Sequence, residues 1–163
     1  MKKIVLSRGL FALVDDEDYE WLNQWKWYAH GNGKWIYALR QKRFKNGTRR
    51  PVRMHREILK VSKEDWVDHK DGNGLNNCRD NIRIATISQN CINRRMQCNN
   101  TSGFRGVMWK KDVRYKIKKW QARLKVNGKY VELGYFKKPE EAALAYNEAA
   151  KKYHGEFARL NQV

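Results

Sequence analysis

The feature that most limits the fold of this sequence is the Asn-Gly dipeptide between runs of alternating residues, which occurs at 46–47, at 127–128 and, within Gly-Asn-Gly, at 31–33. Asn-Gly is the strongest two-residue signal for a β-hairpin, because a type I′ turn needs positive φ at both central residues. With the turn at 31–33, the first dipeptide predicts a three-stranded antiparallel meander. Its Trp and Tyr residues are expected to form sheet core rather than to stack on bases. We therefore expect an α+β protein built on small antiparallel sheets.

The length of 163 residues allows one ordinary domain or two small ones. The stretch QCNNTSG at 97–103 is polar and rich in turn-forming residues, which is typical of a linker. We expect an amino-terminal domain over 1–96, a linker over 97–102 and a second domain over 103–163.

The charge of the chain predicts a polyanionic partner. There are 35 Lys and Arg against 17 Asp and Glu, which gives a formal net charge of +18. The excess is concentrated at 94–137, with thirteen basic residues against two acidic ones, whereas residues 1–30 carry four against five. The polyanion-binding face is therefore predicted within 94–137.

The sequence predicts a soluble, intracellular protein that makes no membrane contact. No window approaches eighteen consecutive apolar residues, and an acidic run follows the first apolar residues of the chain. Three cysteines, Cys78, Cys91 and Cys98, form no CxxC pair, so we expect free thiols and no zinc site. These features favour the cytoplasm.

The segment VDHKDGNGLNNCRDNIRIATISQN at 67–90 has the residues best suited to catalysis. A short strand is predicted to end at His69 and a second to run over 81–85, with a Gly- and Asn-rich loop between them. Thr86 and Gln89 have the spacing of a capping box, so a helix is predicted to start at Thr86 and to hold Asn90 in its first turn.

The spacing DH-x11-N-x8-N in this segment resembles the ββα-metal motif of the HNH nucleases, particularly the phage and intron-encoded homing endonucleases. The resemblance implies a ββα-metal domain, preceded here by the small antiparallel sheet. It implies that Asp68 and Asn90 hold one divalent cation, Mg²⁺ or Mn²⁺. It also implies that His69 is the general base and that Asn81 orients the His69 ring through a hydrogen bond.

These residue types suit phosphodiester hydrolysis, which needs an activated water and positive charge near the developing oxyanion. Carboxylate and amide oxygens suit Mg²⁺ or Mn²⁺ better than a closed structural zinc site. Taken singly, each residue has a simpler interpretation as a cap, turn or surface side chain; the four together favour a site. Other polar residues nearby are interpreted as structural or loop-forming, with a phosphate contact by Arg56 left open: His55, Asp71, Asn73, Asn76 and Asn77.

The last sixty residues predict strands at 102–109, 118–126 and 129–136, followed by one helix that starts at Pro139 and ends before Gly155. The pattern RGV…W-x-A-x-L…NGK-x-V-x-LG-x-F…EEAA-x-AY resembles the Apetala-type, or ethylene-responsive-factor, DNA-binding domain. The resemblance implies a three-stranded antiparallel sheet that packs on one helix and enters the major groove of double-stranded DNA.

Basic and aromatic residues on this sheet are the predicted DNA contacts, although a basic face that merely keeps the domain soluble is the simpler alternative. Glu132 stands where plant members usually have a contacting Trp, so their target sequence is not carried over. The predicted contacts are Arg105, Trp109, Lys110, Arg114, Arg123, Lys125 and Lys129.

Together these features predict a metal-dependent, homing-type HNH endonuclease of a mobile element, which nicks at least one DNA strand and binds its site through the second domain. It could act as a monomer, or as a dimer if both strands are cut. The alternative is a non-catalytic, sequence-specific DNA-binding regulator with an inactive HNH unit.

Overall fold

The computed structural model describes residues 1–33, 35–94, 96, 99–111 and 118–163. The fold is α+β, with small antiparallel sheets and few helices. The chain divides into an amino-terminal unit, Met1–Ile87, and a carboxy-terminal unit, Ser88–Val163. Among the described residues, no helix has both the length and the apolar character needed to span a bilayer.

In its described residues, the amino-terminal unit has three small sheets, two α-helices and a short 3-10 helix at Ser7–Gly9. Its elements are β1 (Lys2–Val5), β2 (Phe11–Val14), α1 (Asp16–Asn23), β3 (Tyr28–Asn32), β4 (Trp35–Arg43), β5 (Arg49–Arg53), α2 (Met54–Leu59), β6 (Trp66–His69) and β7 (Ile82–Ala85). Strands β1 and β2 form one hairpin, β3, β4 and β5 form the predicted meander, and β6 pairs with β7. The meander and the β6–β7 hairpin are confirmed.

Apolar residues from most of these elements form one core, which includes Ile4, Leu22, Met54 and Ile58. The expectation that the meander aromatics form core is only partly right. Trp27 is buried, but Trp25 precedes β3 and is about half exposed, with the Arg40 guanidinium 4.2 Å from its ring centroid. Trp35, at the start of β4, is also half exposed.

The loop between β6 and β7 is held against the β1–β2 hairpin. The Leu13 amide donates to the Leu75 carbonyl, and the Asn77 amide donates to the Leu13 carbonyl, both at 2.8 Å. The Arg79 guanidinium adds an ion pair with the buried Asp18. The Gly- and Asn-rich loop therefore has a defined position within this unit.

The carboxy-terminal unit is a three-stranded sheet covered by one long helix. Its elements are β8 (Val107–Lys111), β9 (Lys118–Val126), β10 (Lys129–Phe136) and α4 (Pro139–His154), and α3 (Ile87–Ile92) crosses the division between the units. Strand β9 lies between β8 and β10 in an antiparallel sheet, as predicted. The bounds predicted for β9 and β10 are confirmed, and α3 begins one residue after the predicted start.

Strand β8 begins later than the predicted 102–109, because residues 102–106 form turns instead. The Ser102 hydroxyl donates to the backbone, and Gly106 has a φ of 71°. A side chain at Gly106 would overlap the ring of Tyr146 on α4, which explains the close approach of helix and sheet. The alanine-rich face of α4 packs on Val107, Ala122 and Leu124.

Candidate functional site

Asp68 and His69 are the last two residues of β6, and the pairing with β7 places them opposite Arg83 and Ile82. Both side chains are buried, at 5% and 6% exposure. A buried aspartate and a buried histidine at a strand end are uncommon in a structural core, since ionisable groups are costly to bury. Such groups at the rim of a small sheet mark a candidate site.

The Asp68 carboxylate is held by a guanidinium. The Arg83 Nε and Nη2 lie 3.0 and 2.9 Å from the Asp68 Oδ2, and the side chains of Arg83 and Asp68 are 10% and 6% exposed. A buried carboxylate needs a counter-charge and hydrogen bonds, and the Arg83 guanidinium supplies both to Asp68.

The side chain facing the Nε2 of His69 is that of Asn77, which is fully buried; its Oδ1 lies 3.4 Å away. The Asn77 Nδ2 donates to the Leu75 carbonyl, and this fixes the orientation of the amide. The oxygen facing His69 can only accept, so the proton of a neutral ring lies on Nε2.

Burial lowers the pKa of His69, against the opposing effects of the Asn77 hydrogen bond and of the Asp71 and Asp68 charges. Burial disfavours the charged imidazolium, so the ring stays neutral at pH 7. A neutral imidazole is the protonation state that a general base requires.

The Asn81 side chain holds the loop ends together. Its Nδ2 donates to the Asp71 Oδ1 at 3.0 Å and to the Asn76 carbonyl at 2.7 Å, and its Oδ1 accepts from the Asp71 amide at 3.1 Å. The backbone amide of Lys70 also donates to the Asn81 carbonyl. The hydrogen bonds shown for Asn81 therefore run to the loop, which in turn carries Asn77.

Asn90 lies on α3, in the carboxy-terminal unit. Its amide oxygen and the carboxylate of Asp68 are hard donors, which Mg²⁺ and Mn²⁺ prefer. Their chemistry therefore fits the implied cation. Within the described part of the chain, no three His, Cys, Asp or Glu side chains cluster as a metal site.

Sequence reasoning missed two neighbours of His69. Asn77 was expected only to form the loop and His55 only to be structural, yet Asn77 faces the Nε2 and the His55 ring lies 4.9 Å from the His69 ring. Neither contact has a local sequence signal. The number of asparagines in the loop was the one available hint that an amide is used there.

A second basic surface lies on the outer part of β4 and β5. We call it the basic ribbon and define it by two pairs of residues that face each other across the strands, Lys42 with Arg50 and Arg43 with Arg49. All four are exposed, and the stretch 40–53 has seven Lys and Arg and no Asp or Glu. Like charges placed opposite each other destabilise a sheet, and the Glu57 carboxylate, 3.1 Å from the Lys42 Nζ, offsets one of these four charges.

The sequence predicted a basic face at 94–137 and missed this ribbon, although the same count of charges over 40–53 could have found it.

The last residue of β5, Arg53, lies near the candidate site. The Arg53 guanidinium lies 5.6 Å from the ring centroid of Tyr37, and that ring lies 5.9 Å from the His69 ring.

The outer face of the carboxy-terminal sheet carries three of the predicted DNA contacts. The β9 register places Ala122 and Leu124 toward α4, so Arg123 and Lys125 alternate to the other face, and Lys110 joins them there. The Arg123 guanidinium stacks 4.2 Å from the ring centroid of Tyr130, and Glu132 pairs across from Arg123. This face is cationic and partly aromatic.

The other predicted contacts have different surroundings. Trp109 and Lys129 pair with Trp120 and Val126, so they occupy register positions on the α4 side, and Trp109 packs edge-to-face on Trp120 while staying 45% exposed. The Arg105 guanidinium donates to the Ile92 and Arg94 carbonyls within the same unit. Arg114 lies outside the described residues.

No family model matches this chain, and no solved structure matches it. An uncharacterized HNH endonuclease of Acanthamoeba polyphaga mimivirus is 31% identical over 164 residues, which cover 96% of this chain and 78% of that protein. Protein 3.8 of Escherichia phage T7 is 32% identical over 100 residues, 61% of this chain and 78% of the phage protein.

Proposed function

The chain belongs to the HNH endonuclease family, and from that membership we propose that it is a metal-dependent, homing-type endonuclease that hydrolyses phosphodiester bonds in double-stranded DNA. It nicks at least one strand. The observation that carries the proposal is His69, a buried neutral imidazole with its Nε2 proton directed at Asn77 and a buried carboxylate beside it in sequence.

In the proposed reaction, the neutral ring of His69 accepts a proton from the water that attacks the phosphorus. Asn77 holds the ring in the required tautomer, and Asn81 holds the loop that carries Asn77. Asp68 and Asn90 are the proposed ligands of Mg²⁺ or Mn²⁺, with no further ligands from this chain assigned. When bound, that cation supplies positive charge to stabilise the phosphate and the leaving oxygen.

Two surfaces support DNA as the substrate. The basic ribbon belongs to the same unit as His69, and a two-stranded ribbon is one of the elements that the DNA major groove admits. The outer face of the carboxy-terminal sheet, with Lys110, Arg123 and Lys125, is proposed to bind the target site in the manner of an Apetala-type domain. A ββα-metal arrangement of β6, β7 and α3 is part of the same proposal. A monomer with one such site cuts one strand, and a dimer is needed to cut both.

One observation favours the alternative of a non-catalytic DNA-binding regulator. Arg83 already neutralises Asp68, so this carboxylate has a structural counter-charge without any cation. In that alternative the ion pair would be permanent and the two basic surfaces would bind DNA without cleavage.

The test is incubation of supercoiled plasmid or genomic DNA with the purified full chain in Mg²⁺, Mn²⁺ or EDTA. Wild type should give nicked product with a divalent cation only. His69→Ala should lower the cleavage rate by about 10²- to 10⁴-fold and leave DNA binding intact, since a general base contributes to chemistry rather than affinity.

Asp80→Asn, at an exposed position of the same loop, is the matched control and should cleave as wild type does. Cleavage by His69→Ala at the wild-type rate would remove His69 from its proposed role. Salt-sensitive binding by wild type with no cleavage in any metal would favour the regulator.

A further inference from the structure

One face of the meander combines exposed arginines with a neighbour of the candidate site. The register of β4 and β5 sets Arg43 opposite Arg49 and Leu39 opposite Arg53. Because alternate residues of a strand share a face, the three arginines of these pairs lie on one face, which is also that of Tyr37. We call Arg43, Arg49 and Arg53 the arginine row; all three are exposed.

The arginine row ends beside the proposed general base. The Arg53 guanidinium lies 5.6 Å from the centroid of the Tyr37 ring, and that centroid lies 5.9 Å from that of His69. The Arg53 guanidinium and the His69 imidazole therefore both adjoin one aromatic ring. Arg53 is also near enough to His55 for its charge to add to the lowering of the His55 pKa that burial causes.

The two faces of the basic ribbon differ in their counter-charges. Within the part of the chain that the structure describes, no residue of the arginine row has a carboxylate at ion-pair distance. On the opposite face, the Glu57 carboxylate pairs with Lys42 at 3.1 Å and with the buried Arg40 at 2.7 Å. The arginine row is therefore the face that is better able to bind an anion from outside the chain.

The length of the arginine row suits the backbone of one DNA strand. Arg49 and Arg53 are the two ends of β5, and a strand rises about 3.3 Å per residue, so they lie about 13 Å apart. Phosphates of one DNA strand follow each other at about 3.4 Å along the helix axis, so this length spans about four of them. A guanidinium can donate two parallel hydrogen bonds to one phosphate, which fixes the position of that phosphate.

We propose that Arg53 contacts the phosphate at the bond that is cut, while Arg43 and Arg49 bind phosphates farther along the same strand. This proposal rests on the proposed function, in which His69 is the general base. A cation at the reacting phosphate contributes most in the transition state, where negative charge grows on the phosphate and on the leaving oxygen. Arg53 is then a catalytic residue, whereas Arg49 binds substrate and transition state equally.

The experiment compares Arg53→Gln with Arg49→Gln in the full chain, by plasmid nicking in Mg²⁺ at several DNA concentrations. Arg53→Gln should lower kcat by about 10- to 100-fold, because it loses a contact that strengthens in the transition state. Arg49→Gln should raise KM by about two- to fivefold and keep kcat within about twofold of wild type, because its contact is equal in both states. Lys63→Gln, in an exposed turn between α2 and β6, is the control and should match wild type in both constants.

A second readout is the binding of duplex DNA in EDTA, measured by fluorescence anisotropy, which needs no cleavage. Loss of one phosphate contact should lower the slope of log affinity against log salt by about one. Arg53→Gln should show this decrease, and Arg53→Lys should have the wild-type slope because it keeps the charge. The kcat of Arg53→Lys should lie between those of wild type and Arg53→Gln, because an ammonium group lacks the two parallel donors.

Wild-type kcat in Arg53→Gln, or an equal loss of kcat in Lys63→Gln, would overturn the role of Arg53. A raised KM with unchanged kcat in Arg53→Gln would also overturn it, because Arg53 would then bind a phosphate away from the cut. Absence of cleavage by wild type in any metal would instead sink the proposed function. In that case an unchanged salt slope in Arg53→Gln would show separately that Arg53 contacts no phosphate.

Discussion

The two units of this chain use charge in different ways. The amino-terminal unit has 18 basic and 11 acidic residues, a net charge of +7. It contains ion pairs with the buried carboxylates of Asp18 and Asp68 and with the mostly buried carboxylate of Glu57. The carboxy-terminal unit has 17 basic and 6 acidic residues, a net charge of +11. There, Arg123 and Lys125 lie on an open sheet face.

Buried, paired charges cost free energy unless their geometry is fixed, and they are useful where chemistry needs a group at a defined place. Exposed cations cost little and attract phosphates from any direction. This difference fits the proposed function, in which the amino-terminal unit carries out the reaction and the carboxy-terminal unit binds DNA. The basic ribbon is an exception within the amino-terminal unit, because its cations are exposed.

The largest expected effect is on stability, and it comes from breaking the ion pair between Arg83 and Asp68. Arg83→Met should lower the free energy of unfolding of the amino-terminal unit by about 3–5 kcal/mol, because the Asp68 carboxylate stays buried without its guanidinium. Urea denaturation followed by tryptophan fluorescence measures this. Arg50→Met, on the exposed ribbon, is the matched control and should change stability by less than about 0.5 kcal/mol.

The same variant, Arg83→Met, also tests whether Asp68 is a metal ligand. Mn²⁺ should stabilise Arg83→Met more than wild type, since a cation bound at Asp68 would replace the lost charge. Equal stabilisation of both proteins would argue against Asp68 as a ligand. Unchanged stability of Arg83→Met in EDTA would show that the pair contributes nothing to the fold.

The second-largest expected effect is a dependence on pH of the stability of the amino-terminal unit, which contains His55. Because the pKa of His55 is lowered from 6.5 to about 2, the unfolded chain binds a proton between these values that the folded chain does not. Stability is therefore full above pH 6.5 and falls as the pH decreases, by up to about 1.4 kcal/mol per pH unit. At pH 5 the expected loss is about 2 kcal/mol.

Urea midpoints measured from pH 5 to pH 8 test this expectation. His55→Phe should lower the slope below pH 6.5 by the contribution of His55, up to about 1.4 kcal/mol per pH unit. The slope that remains includes the contribution of His69, whose pKa burial also lowers. A slope that is the same in wild type and His55→Phe would mean that His55 is protonated in the folded protein.

The smallest expected effect is on the salt dependence of DNA binding, and it compares the basic ribbon with the outer face of the carboxy-terminal sheet. Replacing two phosphate-contacting cations should reduce the slope of log affinity against log salt by about two. The sheet variant combines Arg123→Gln with Lys125→Gln, the ribbon variant combines Arg43→Gln with Arg49→Gln, and the control combines Lys151→Gln with Lys152→Gln on exposed positions of α4. Fluorescence anisotropy with labelled duplex DNA at several salt concentrations measures the slopes.

We expect both surface variants to lower the slope and the control to leave it unchanged. A sheet variant with the wild-type slope would mean that the carboxy-terminal sheet does not bind phosphates and would leave the ribbon to hold the DNA. A lowered slope in the α4 control would show that charge alone, and not a defined face, determines binding.

The strands and the long helix could be predicted because their signals are local. Alternation with an Asn-Gly turn placed β9 and β10, and Pro139 with helical alanine spacing placed α4. The β1–β2 hairpin and the short helix α2 were missed, since both are short and depend on shared core packing, as at Ile4 and Ile58. The late start of β8 followed from turns around Gly106 that only the approach of Tyr146 explains.

In the candidate site, too, some features could be predicted from the sequence and others depend on the tertiary structure. The sequence by itself determined which residue types stand at 68, 69, 81 and 90, because a spacing motif is a property of the chain order. Only the tertiary structure decided that Asn77 faces His69, that Asn81 ties the loop and that His55 and Tyr37 pack on the ring. These contacts join segments far apart along the chain, and their geometry is fixed by burial and close packing rather than by any local preference.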